Sequence, residues 1–150
     1  MKGFWISSIS ALGDGKKTAQ IQLNKGANII TGPSDTGKSY LFSVINYTLG
    51  RTSVPDTDIP EGRGYDIFRL VVVSFETGEK HTLERVLNKS KITVTSESGE
   101  IETYSSSSTL ALGSNVSSFL LKLCGLEKSY VLKNRTKGDK QLLSFKNLNQ

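Results

Sequence analysis

Gly32-Pro33-Ser34-Asp35-Thr36-Gly37-Lys38-Ser39 fits the pattern G-x-x-x-x-G-K-[ST]. The two glycines allow turns that a side chain would forbid, so successive amide N–H groups point inward at an anion. The helix expected after the loop adds the positive end of its dipole to the same spot. Lys38 is placed to reach the β- and γ-phosphates of a nucleotide, and the Ser39 hydroxyl to coordinate magnesium. The candidate binding residues are therefore Gly32, Pro33, Ser34, Asp35, Thr36, Gly37, Lys38, Ser39 and Tyr40, with Ser39 as the metal ligand. The expected cofactors are ATP and Mg2+, because no Asn-Lys-x-Asp run marks a guanine site.

The flanks supply the context that this loop requires. Before it, residues 27–31 carry the apolar pair Ile29-Ile30 and read as a short strand. After it, Leu41, Phe42, Val44, Ile45 and Leu49 recur at helical spacing over residues 38–49, and Gly50 is placed to close the helix. Upstream, residues 4–9 read as a strand, Gly13-Asp14-Gly15 as a turn, and residues 18–23 as a half-buried strand with Ala19, Ile21 and Leu23 on one face.

Downstream the character changes. Pro55, Pro60 and Gly62-Arg63-Gly64 mark residues 51–64 as a long surface loop. Four strand-like runs follow at 67–75, 82–87, 91–96 and 100–104, separated by short turns that demand antiparallel pairing. Residues 105–109 are a serine tract, Ser114-Asn115 is a candidate cap for a helix over 116–124, and Gly125 closes it. A strand-like piece spans 141–145 within a basic tail carrying Lys133, Arg135, Lys137, Lys140 and Lys146.

Composition narrows the function classes. The net charge of +5 suits a nucleotide or nucleic-acid partner, although a solvated basic surface explains it equally well. One cysteine, Cys124, excludes an internal disulfide, and with a single histidine, His81, no zinc cluster can be assembled. No apolar run approaches the length of a membrane span, and the first residues do not read as a signal peptide, so a cytoplasmic location is expected.

Hydrolysis needs an acid at the end of an apolar strand to orient the metal. The nearest run, Leu70-Val71-Val72-Val73-Ser74-Phe75-Glu76, places its acid two residues late, just before a turn, and Glu76 reads as a hairpin residue. No Leu-Ser-Gly-Gly-type run is present. The chain is expected to bind nucleotide without hydrolysing it alone.

Gly26-Ala27-Asn28-Ile29-Ile30-Thr31-Gly32, the loop, and the helix ending Leu49-Gly50 resemble the N-terminal ATP-binding lobe of ABC-type ATPases of the SMC, RecF and RecN branch. The resemblance covers about the first third of the chain; the family's Asn-Gly before Gly-Lys-Ser is here replaced by Ser34-Asp35-Thr36. It implies an α/β P-loop NTPase fold: an ABC/SMC-type head N-lobe with a mixed sheet and an antiparallel β-meander. Residues 1–50 would form the Walker A core, 65–104 an antiparallel subdomain, and 114–150 a helix and basic tail. It further implies a C-terminal half carrying the Walker B and signature motifs, a second head, DNA as a partner, and a Q-loop near Gln141 or Gln150. Lys133, Arg135, Lys137 and Lys140 are the candidate DNA contacts, set against the simpler reading of a solvated tail. Phe4, Trp5 and Tyr40 are candidates for stacking on adenine, set against ordinary core packing. A self-contained nucleotide-binding regulatory module is the alternative function.

Overall fold

The computed structural model describes residues 1–34, 37–107, 114–134, 136 and 138–145. Six strands form one sheet in the order β2-β1-β3-β4-β5-β6, with β1 at Phe4–Leu12, β2 at Ala19–Gln22, β3 at Ile67–Ser74, β4 at Lys80–Val86, β5 at Lys91–Ser96 and β6 at Ile101–Ser105. Every neighbouring pair is antiparallel. β1 carries a bulge between Ile6 and Ser8, and the Ser7 hydroxyl donates to Val71 O. A separate hairpin pairs β7 (Tyr130–Asn134) with β8 (Asp139–Leu142).

Two short helices complete the chain, α1 at Lys38–Thr48 and α2 at Val116–Leu123. α1 lies between β2 and β3 in sequence and turns Tyr40, Val44, Tyr47 and Thr48 inward, one stripe at helical spacing. The Tyr47 and Tyr40 rings meet Phe68 of β3 edge-on, at 5.9 and 6.5 Å between centroids. α2 buries Val116, Leu120 and Leu121. The core gathers these side chains against Ile9, Phe68, Leu70, Val72, Leu83, Ile92 and Val94 of the sheet. The opposite sheet face is more polar: Arg69 and Glu84, directly paired in register, form an ion pair at 2.6 Å.

The helix ends follow their sequence signals. Gly50 and Arg51 close α1, donating to Tyr47 O and Asn46 O. Asn115 caps α2, its side chain accepting from the Ser118 N–H at 2.9 Å. Strands β3–β6 lie where alternation and turn residues put them.

The fold class is not the one predicted. The sheet is an antiparallel meander, flanked among the described residues by two short helices, and not the mixed sheet of an α/β P-loop NTPase. The physical reason has two parts. The connections from β3 to β6 are tight turns, which reverse the chain and exclude parallel return. Residues 27–31, expected as the strand before the loop, join no ladder, and Ile29 is 89% exposed. An apolar run becomes a strand only when a neighbour satisfies its backbone groups, and no described strand lies beside it.

Candidate functional site

The turn before α1 is built by short-range bonds. The Asn28 side chain donates to Asn24 O and Gly26 O and accepts from the Asn24 N–H, locking residues 24–28 into a closed turn. The chain then runs exposed through Gly32, Pro33 and Ser34. Gly37 enters the helix at φ 82, a left-handed conformation that suits glycine, and its carbonyl accepts the first helical bond from Leu41. Among the described residues no side chain caps α1, and its first turn holds no acidic residue. Its positive end is therefore not neutralised by the helix itself.

Lys38 folds back across this turn. Its ammonium donates to Gly32 O at 2.8 Å and also to Pro33 O. Gly32 and Pro33 thereby hold the lysine head, with the cation beside the helix N-terminus. Ser39 is exposed beside it. Asp35 and Thr36, the remaining candidate residues of the loop, lie outside the described residues.

A cavity of about 790 Å³ opens here, lined by Gly32, Ser34, Gly37, Lys38, Ser39 and Tyr40 on one side and Ile59, Pro60 and Glu61 on the other. The second wall comes from the long loop after α1. That loop approaches closely because of Gly62: a Cβ there would lie 2.1 Å from Asp56 O and 2.9 Å from the Tyr40 ring. The Glu61 side chain packs on Gly37, where a Cβ would lie 3.2 Å from its Cγ. Tyr40 is nine-tenths buried, and its hydroxyl has no hydrogen-bond partner. Burial, with a smaller effect from Tyr65, pushes its pKa up to about 12.

The donor set fits a nucleotide with magnesium. Uncapped helix amides and an ammonium suit polyphosphate oxygens, and a hydroxyl and a carboxylate are the hard oxygen ligands that Mg2+ takes. Among the described residues no cluster of three acidic, histidine or cysteine side chains could hold a metal alone, so the ion would arrive with the phosphates.

No known family model matches this chain, and no curated protein shows significant similarity to it.

The structure brings seven of the nine predicted residues to one place; six of them line the cavity and Pro33 binds the lysine. Phe4, Trp5 and Glu76, candidates from elsewhere in the chain, lie apart from it. Phe4 and Trp5 lie in a different groove, with Phe42, Phe75 and Phe145. Glu76 sits in the turn after β3, as the sequence suggested, and faces another cleft. That cleft, of about 450 Å³, is lined by Glu76, Glu79, Glu100, Glu102 and Glu127, a charge that repels a polyphosphate. Gln141 lies in β8, and Gln150 lies outside the described residues. Lys140 is exposed on β8, Lys133 belongs to β7, and Arg135, Lys137 and Lys146 lie outside the described residues. Cys124 is half-buried, and burial raises its thiol pKa, as befits a packing residue. Sequence reasoning missed Ile59, Pro60 and Glu61, which no motif spacing ties to Gly37. Among the described residues no helix is long and apolar enough to cross a membrane.

Proposed function

We propose that this chain is the ATP-binding part of a larger ATPase and holds ATP as its magnesium complex in the cavity between the turn at Gly32–Tyr40 and residues 59–61. The observation that carries this reading is the Lys38 ammonium, folded onto two loop carbonyls at the start of a helix that no side chain among the described residues caps. A polyphosphate entering there meets the cation and the helix amides together. Ser39 supplies a hydroxyl to the metal.

Hydrolysis would need groups from further polypeptide. Among the described residues no acid ends an apolar strand beside Ser39, and Glu76 faces away. Ile29, Ile30 and Phe42 are 89, 45 and 64% exposed, which supports a covering segment such as a C-terminal half. The likeness of residues 26–50 to SMC, RecF and RecN proteins makes DNA maintenance, repair or defence the proposed setting, in the cytoplasm, with a second head and DNA as partners. One observation favours the alternative, a self-contained nucleotide-binding module: the sheet and its two helices bury a core of their own.

Calorimetric titration with ATP and Mg2+ tests the proposal. Wild type binds, and Lys38→Ala, deprived of a charge-assisted bond, loses about 10- to 100-fold in affinity. Equal binding by the two proteins would remove the site.

A further inference from the structure

We propose that Glu61 is the carboxylate that shares the magnesium ion with Ser39 when ATP occupies the cavity. This rests on the nucleotide reading above and adds a ligand from outside the glycine-rich turn.

Three observations lead to it. Glu61 is the one carboxylate among the described residues lining the cavity that holds Lys38 and Ser39. Its stem is packed on Gly37, so the carboxylate is held close to the start of α1. Among the described residues its carboxylate has no ion-pair or hydrogen-bond partner, although Lys38 stands in the same cavity.

The charge logic is simple. A carboxylate facing a polyphosphate across a cavity of this size repels it, unless a cation sits between them. Magnesium in nucleotide sites is typically held by one or two carboxylates together with phosphate oxygens and water, at near-octahedral geometry. Ser39 and Glu61 both line the cavity and supply one hydroxyl and one carboxylate. Glu76, the acid that the sequence placed nearest to an apolar strand end, lines another cleft. Glu61 is half-buried on a loop, so its replacement by glutamine keeps the packing stem and removes only the charge.

The test compares wild type and Glu61→Gln in calorimetric titrations with ATP, once with excess Mg2+ and once with EDTA. Wild type binds ATP more tightly with Mg2+. Glu61→Gln loses about tenfold or more for the magnesium complex, a loss typical of a group that supports a bound metal. For metal-free ATP it binds equally or more tightly, because the repelling charge is gone. Mn2+ as a probe gives a second readout: the affinity for the Mn2+–ATP complex, followed by water-proton relaxation, falls about tenfold or more in the variant. A variant that keeps the wild-type ratio between the Mg2+ and EDTA titrations overturns the assignment while leaving the nucleotide site intact. Wild type that binds ATP in neither titration overturns the nucleotide reading, and the assignment with it.

Discussion

The Arg85 guanidinium lies 3.7 Å from the centre of the Tyr47 ring and donates to the Tyr47 carbonyl at 2.6 Å. It also donates to Arg51 O, Lys89 O and the Ser106 hydroxyl, and it is 4% exposed. One buried cation thus ties the end of α1 to the hairpin of β4 and β5 and to the end of β6. Burial lowers its pKa, a lowering partly offset by Tyr47, and its counter-charges are carbonyl oxygens and a π face. One of those carbonyls, Tyr47 O, belongs to the last turn of α1, where the helix dipole favours a cation.

Arg85→Met is therefore expected to cost on the order of 3 kcal/mol, because buried carbonyls lose their donor. Tyr47→Phe keeps the ring and loses only the hydroxyl bond to Val86 O and Lys89 O, at about 1 kcal/mol. Urea unfolding of both variants checks the order. Equal losses would mean that the cation does not organise this corner.

Tyr40 is expected to contribute to a loss of stability at alkaline pH. Its ordinary pKa is 10.0, and in the fold it is raised to about 12, so the folded state holds the proton after the unfolded state has released it. This contribution to stability is fully present below pH 10 and is lost as the pH rises to about 12. Wild type is expected to lose stability across that window more steeply than Tyr40→Phe. Parallel curves of melting temperature against pH for the two proteins would contradict the raised pKa.

Ile29 and Phe42 pack against little of this chain. The double variant Ile29→Lys, Phe42→Lys is expected to keep its unfolding free energy within about 0.5 kcal/mol, as surface substitutions do. Self-association in light scattering falls with the loss of the apolar patch. A loss of stability of about 2 kcal/mol or more would show that both side chains already belong to the core.

The boundary between what the sequence discloses and what it hides follows from which forces are local. Strands β3–β6 were legible because alternation such as Phe68, Leu70, Val72 and turns such as Thr77-Gly78 are local signals. Asn115 and Gly50 were legible for the same reason. Residues 27–31 misled because periodicity describes a strand's faces and says nothing of its neighbour. The α/β expectation depended on that strand and fell with it. At the site, Lys38 and Ser39 announced themselves through spacing, whereas Glu61 reaches Gly37 only through the path of a long loop, closed by the lack of a side chain at Gly62. Arg85 was equally silent: a lone arginine in a strand reads as surface until its carbonyl partners are assembled around it.

Amide shift mapping by NMR, with ATP and Mg2+ added to the labelled chain, tests the central claim most directly. The largest shifts are expected at Gly37, Lys38, Ser39 and Tyr40, with smaller ones at Glu61, and they vanish in Lys38→Ala. Absence of shifts at millimolar ATP, or shifts confined to the glutamate-lined cleft between β6 and α2, would contradict it.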